Sequence, residues 1–455
     1  MSIKERHESL KKHLKEENPI LLDIVQKYEI LDNIGYKSGF LEENDSYTGN
    51  ISWWPIISVL GTFSAGKSSF INNYMGMKIQ NSGNQAVDDK FTAVCYGNSE
   101  QVRTLPGIAL DSDPRFPFYG ISDEIEKIEK GEGNKINMYM QLKSASSSKL
   151  KGKIFIDSPG FDADEQRDTV LRMTKHIIDI SDLVLIFFDA RHPEPGAMRD
   201  TLEHLVGSTM NHADADKILY VLNQIDTTSK EDNLEDIISS WQRALAQKGL
   251  ITGNFYTIYN EDSADIINDE SIAQRLKSKK DAHMADIEEK IEAVGIQRAY
   301  RIATLLTNTA KDFIEKKFPK LRDALNSWSK KVIIADSVIL AVAVGGVFGA
   351  KYLNMLPQES STILTALGVL SVAIIVYLHF MIREVVAKLE IKKHTQSDPD
   401  LARALTSATR WYKPLLAHKF KTWNMLNFKK LDNLVKDAKT TIQRLNDQYI
   451  IQDAE

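Results

Sequence analysis

The sequence predicts an α/β fold, a doubly wound and mostly parallel sheet, joined to a helical neck and a two-helix membrane hairpin. Three observations predict it. Between residues 51 and about 265, the short apolar runs PIISVL, KIFIDSP, LVLIFFDA, KILYVLNQID and FYTIYN alternate with helical stretches. Strands that are apolar on both faces, with helices between them, form a parallel sheet covered on both sides. Residues 332–350 and 362–382 are apolar runs of about 20 residues carrying a single charge, Asp336. Each is long enough to cross ~30 Å of hydrocarbon as a helix. The segments on either side of this pair are helical and basic.

Taken in order, residues 1–50 read as polar amphipathic helices of the neck, 51–275 as the α/β domain and 276–331 as neck. Residues 332–382 form the apolar hairpin, and 383–455 return to the neck. A chain of 455 residues is too long for one compact core. The net charge of -5 argues against bulk nucleic-acid binding. Cys95 is the single cysteine, so no internal disulfide forms, and its apolar neighbours mark it as an inert buried thiol. The charged N-terminus has no apolar core and does not read as a secretory signal. SASSSK, at 144–149, reads as a hairpin turn before the strand at 153–157. Trp53 and Trp54 are expected to pack on helices.

The first strand leads into GTFSAGKSSF, a G-x-x-x-x-G-K-[ST] pattern with Gly61, Gly66, Lys67 and Ser68. Such a loop wraps main-chain N–H groups around phosphate oxygens, and side chains there would collide with the ligand. Ser64, Ala65 and Ser69 belong to the same candidate cradle. Lys67 would reach the β- and γ-phosphates, and Ser68 would offer its hydroxyl to Mg²⁺. At a second strand end, DSPG places Asp157 to hold the metal's hydration shell and the Gly160 N–H to meet a γ-phosphate. At a third, NQID supplies Asn223, Gln224 and Asp226, with the Asp226 carboxylate suited to the guanine N1–H and exocyclic amine. Thr92 is either a second metal hydroxyl or an ordinary strand threonine. His192, Glu203 and His204 follow another strand without ligand spacing and read as loop residues, while Asp189 and Arg191 could touch the base or a partner domain.

With these pieces in hand, GTFSAGKSSFINNYMG, DKFT, DSPGFD and LNQID resemble the dynamin superfamily of P-loop GTPases. The F-S-x-G-K-[ST] flavour leans toward EH-domain ATPases and bacterial dynamin-like proteins, and the paired apolar segments resemble the mitofusin-like branch. The resemblance covers about 51–265. It implies GTP as substrate with Mg²⁺, catalytic roles for Lys67, Ser64 and Thr92, and a monovalent cation, K⁺ or Na⁺, at Ser64. It implies homodimerisation through the nucleotide domains, higher oligomers, and a lipid bilayer as partner. Two positions depart from the pattern: Phe63 stands where classical dynamins carry glutamine, and Phe161 where Ras-like enzymes carry the water-positioning glutamine. YTIYN fits the place of the fifth base-contact motif but not its usual sequence. An ATP-using remodeller and a nucleotide-regulated scaffold with negligible hydrolysis are the alternatives.

Lysines and arginines flank the apolar pair on both outer sides, while the intervening loop has only Lys351. Positive charge stays cytoplasmic, which predicts a multi-pass protein with both termini and the nucleotide domain in the cytosol. A buried pair of core helices is the alternative. The tail 410–436 mixes aromatics with lysines and reads as a helix face packed on its neighbours in preference to a lipid-binding face.

Overall fold

The computed structural model describes residues 3–62, 64–81, 90–113, 115, 116, 126, 131, 133–160, 167–191, 217–228, 234–247, 254–264, 267, 269–353, 361–419 and 425–452. Phe63, Phe161, His192, Glu203 and His204 lie outside them. The chain divides into two compact units: Met1–Leu22 with Gly49–Ile302, and Asp23–Thr48 with Ala303–Glu455.

Among the described residues, the first unit is built on an eight-stranded sheet. Its strands are β1 (Ile56–Gly61), β2 (Phe91–Tyr96), β3 (Arg103–Pro106), β4 (Met140–Ala145), β5 (Ile154–Asp157), β6 (Leu183–Asp189), β7 (Ile218–Asn223) and β8 (Asn254–Thr257), in the order β3-β4-β2-β5-β1-β6-β7-β8. The five runs read from the sequence are the parallel part, β5-β1-β6-β7-β8. Alternation within each run explains why all are apolar. Ile57 and Val59 of β1, Leu185 and Phe187 of β6 and Leu219 and Val221 of β7 enter one core, with Phe70, Ile71 and Tyr74 of α3 (Lys67–Met75). Leu60, Val184, Ile186, Tyr220 and Leu222 enter the other, with Trp241 and Leu245 of a helix at Leu234–Gln247. With both faces buried, the alternation of an exposed sheet is absent.

β2, β3 and β4 are not among those five runs. β3 is four exposed residues ending in proline, which only an edge strand tolerates. β4, MQLKSA, is largely polar in composition yet mostly buried. SASSSK does turn the chain, but not as a hairpin: β2 lies between β4 and β5, pairing parallel with the first and antiparallel with the second. The inserted strand takes the β5 edge, so residues 146–153 must pass over β2.

The first helix, α1 (Ile3–Glu17), falls within this unit. Trp54 Nε1 donates to Glu17 at 2.8 Å, and Arg115 pairs with the same carboxylate at 3.6 Å. Trp53 and Trp54 are both buried. Cys95 is buried on β2, and burial pushes its thiol up to about 12, matching the inert reading.

The second unit contains α7 (Phe318–Tyr352), α8 (Ser361–His394), α9 (Pro399–Ala408) and α10 (Met425–Gln452), numbering after α2 (Pro19–Ser38), α4 (Arg167–Ile180), α5 (Leu234–Gln247) and α6 (Glu270–Asp312). Phe40, Tyr47, Phe313 and Phe318 cluster edge-on, with Lys317 Nζ 4.9 Å from the Phe313 ring centre. Helices α7 and α8 pair through Trp328 Nε1 to the Arg383 carbonyl (3.2 Å), Lys331 to Glu390 (2.6 Å) and His379 to Asp336 (2.7 Å). Beyond these contacts the apolar runs are open: Val342, Phe348 and Val369 are each about 70% exposed. Helices buried in the core of this chain would cover those side chains. Among the described residues, two helices are long and apolar enough to cross a membrane.

Candidate nucleotide site

The site forms where β1, β5 and β7 end, at the carboxyl edge of the parallel strands, which is where ligands sit in doubly wound sheets. β1 stops at Gly61 because β6 leaves no room for a side chain: a Cβ there would lie 2.6 Å from the Phe187 carbonyl oxygen. The chain then curls through Ser64 (φ 59°) and Gly66 (φ 85°), both left-handed, before α3 begins at Lys67. Successive turns of this kind point main-chain N–H groups inward, the geometry that holds anions. Gly66 is required twice over, since its Cβ would also lie 2.0 Å from Asn223 Nδ2.

Lys67 Nζ donates to the carbonyls of Gly61 (3.0 Å) and Thr62 (2.9 Å). Burial lowers its pKa, while the Asp157 charge pulls it back up. An ammonium so poorly solvated gains strongly from a second anion. Ser68 Oγ donates to Asp157 Oδ2 at 3.1 Å, which joins the first turn of α3 to the end of β5. A hydroxyl beside a carboxylate is an oxygen donor set that suits Mg²⁺. Ser69 follows Ser68 at the start of α3, and Gly160 lies three residues beyond Asp157.

The third strand end closes the loop from the opposite side. Asn223 Nδ2 donates to the Ala65 carbonyl (2.9 Å), and Gln224 Nε2 to the Ser64 carbonyl (2.6 Å), with Gln224 itself at φ 64°. Asp226 follows on a 3₁₀ turn, Ile225–Thr228, and is buried. Ile225 N bonds the Ile258 carbonyl, so YTIYN lies beside this turn, as its place in the sequence suggested. Arg191 folds back on Asp189, with Nη2 to Oδ2 at 2.5 Å, and Asp226 adds to the charge that holds the guanidinium protonated.

The structure places Thr92 inside β2, wholly buried and opposite Asp157 in register. Its Oγ1 accepts from Gln141 Nε2 at 2.8 Å, so the hydroxyl has a strand partner.

One part of the site carried no motif. Gln80 is wholly buried and its Nε2 donates to Asp157 Oδ2 at 2.8 Å. The buried Lys143 Nζ donates in turn to Gln80 Oε1 at 2.5 Å. Asn72 of α3 fixes this segment: its Oδ1 accepts from the N–H groups of Ile79 and Gln80, and its Nδ2 donates to the Gln80 carbonyl, all at 2.8 Å. The ammonium polarises the Gln80 amide and strengthens its bond to the carboxylate. A lysine on a strand with buried neighbours was the available signal, and nothing marked Gln80.

Residues 57–225 match the family model described as Dynamin family. EH domain-containing protein 2 of Rattus norvegicus is 30% identical over 182 residues, 38% of this chain and 30% of that protein, and the Homo sapiens protein matches to the same extent. The chain thus spans about a third of the length of the curated relatives it matches. Among solved structures, an oligomerised bacterial dynamin pair, described in terms of long-range sensing and tethering of membranes, aligns over 99% of this chain and 79% of that one at 15% identity, with a TM-score of 0.37. The phosphate-loop geometry and the family match fall on the same strands, so residues 57–225 are similar to the nucleotide domain of the dynamin family.

Proposed function

We propose that this chain is a membrane-anchored, dynamin-like GTPase that couples GTP hydrolysis to remodelling, tethering or fusion of membranes. The observation that carries this reading is that one chain holds both a phosphate cradle closed by Asn223 and Gln224 and a helix pair with exposed apolar surface. In the proposed cycle the Lys67 ammonium leaves the Gly61 and Thr62 carbonyls for the β- and γ-phosphate oxygens. Ser68 and Asp157 would hold Mg²⁺, which would supply positive charge to the phosphates. Thr92 is left out of the donor set because Gln141 engages its hydroxyl. Asp226 reads the guanine edge. Ser64 takes a monovalent cation, and a second copy pairs across the nucleotide to complete the site, since no glutamine follows DSPG. The hairpin crosses the bilayer with its basic flanks, the nucleotide domain and both termini in the cytoplasm.

The test is phosphate release on vesicles by wild type and Lys67→Ala, with GTP and ATP in competition. Release of labelled phosphate from GTP that depends on Lys67 and is competed by excess unlabelled GTP but not by ATP is the expected result. Equal slow release by both proteins supports a scaffold, and preference for ATP removes the guanine role of Asp226.

A further inference from the structure

We propose that the turn at residues 409–416 is a second lipid contact, a collar of Trp411 and Tyr412 that seats anionic phospholipid headgroups at the foot of the hairpin. The proposal rests on the reading of the α7–α8 pair as membrane-inserted.

Four observations support it. Trp411 and Tyr412 are 74% and 57% exposed, packed edge-on against each other at 5.9 Å between ring centres. Two large aromatic side chains exposed together on one turn form an apolar patch of the kind that can mark an interaction site. Second, the turn's height along the hairpin is fixed. Arg383 is the first residue after the apolar run 362–382, and its Nη2 donates to the Lys413 carbonyl at 2.7 Å. Its guanidinium also lies 5.5 Å from the Trp328 ring of α7. Third, the polar pair Asp336–His379 sits four residues deeper on α8, about 6 Å at the helical rise. Hydrocarbon therefore begins close to the level of the turn. Trp and Tyr favour that level, where the ring meets acyl chain and the N–H or O–H meets water. Fourth, the aromatics are flanked by Arg410, whose Nη1 lies 3.3 Å from the Tyr412 hydroxyl, and by Lys413. Basic side chains beside an aromatic pair match an anionic headgroup. The sequence pattern favoured a packed helix face here, but the aromatics stand on a turn after α9 and face outward.

The experiment uses the full chain in vesicles of phosphatidylcholine with or without phosphatidylglycerol. Trp411 emission is isolated as the difference between wild type and Trp411→Phe, and carbonate extraction is run in parallel. The expected result is a carbonate-resistant chain whose Trp411 emission shifts to the blue, is quenched by lipid brominated near the headgroup and loses access to aqueous acrylamide. Joint Arg410→Glu and Lys413→Glu substitution abolishes the added protection given by phosphatidylglycerol. A resistant chain with Trp411 still open to acrylamide overturns this inference and leaves the hairpin reading standing. Protection from acrylamide without quenching by brominated lipid also overturns it, since a protein surface then covers the turn. A chain that carbonate releases overturns the hairpin reading itself.

Discussion

Gly66→Ala is the sharpest probe of the cradle. Gly66 sits at φ 85°, where an L side chain costs roughly 1–2 kcal/mol. Its new Cβ would also lie 2.0 Å from Asn223 Nδ2. To clear it, Asn223 must give up its 2.9 Å bond to the Ala65 carbonyl, about 1 kcal/mol more. The sum, about 2–3 kcal/mol, corresponds to a loss of nucleotide affinity on the order of 30- to 150-fold, because the strained loop is the binding surface. Gly76→Ala is the matched control. Gly76 closes the other end of α3 at φ 64°, with no atom within 4 Å of the place its new methyl would occupy. It bears the backbone cost alone and stands away from the phosphates, so it should lower the melting temperature and spare affinity. The assay is titration of a fluorescent GTP analogue with Mg²⁺, alongside thermal melts of each variant. If Gly66→Ala binds as tightly as Gly76→Ala, the left-handed loop and its Asn223 clasp are not the binding conformation.

Three further outcomes follow from the same geometry. Gln80→Leu removes the donor to Asp157 and strips Lys143 of its amide partner; stability should fall by about 2 kcal/mol. The Mg²⁺ needed for half-maximal GTP binding should rise, with affinity in EDTA unchanged. Asp182 accepts from Arg298 (3.1 Å), Arg301 (2.8 Å) and the Ile56 N–H (3.1 Å), so Asp182→Asn should cost about 2 kcal/mol in urea melts and leave GTP affinity intact. For pH, burial lowers the pKa of both His283 and His418 below the ordinary 6.5. Well above 6.5 both are neutral in either state and contribute no slope. As pH falls below 6.5 the unfolded chain binds protons first, so stability declines with acid. Melts between pH 7.5 and 5.5 should show that decline, and His283→Gln should flatten part of it; an unchanged slope would remove His283 from the account.

What the sequence determined by itself was local in origin. Five parallel strands were legible because each is a short run apolar on both faces, and Gly61 through Ser69, Asp157 and Asn223–Asp226 because a phosphate loop tolerates few residue types at fixed spacing. The length and uniform apolarity of 332–350 and 362–382 likewise needed no fold to be seen. Tertiary structure alone decided what depends on partners distant in sequence. β4 became a strand because β2 and β3 supplied its edges, and β2 came between β4 and β5, so SASSSK could not be a hairpin. Thr92 met Gln141, 49 residues away, and Asp157 gained Gln80, itself bonded by Lys143, from segments with no motif. Trp411 and Tyr412 stand exposed on a turn that Arg383 holds beside the end of the apolar run of α8. A periodic pattern records which faces an element buries, but not which distant side chain arrives to share a hydrogen bond, because that depends on how the chain closes in three dimensions.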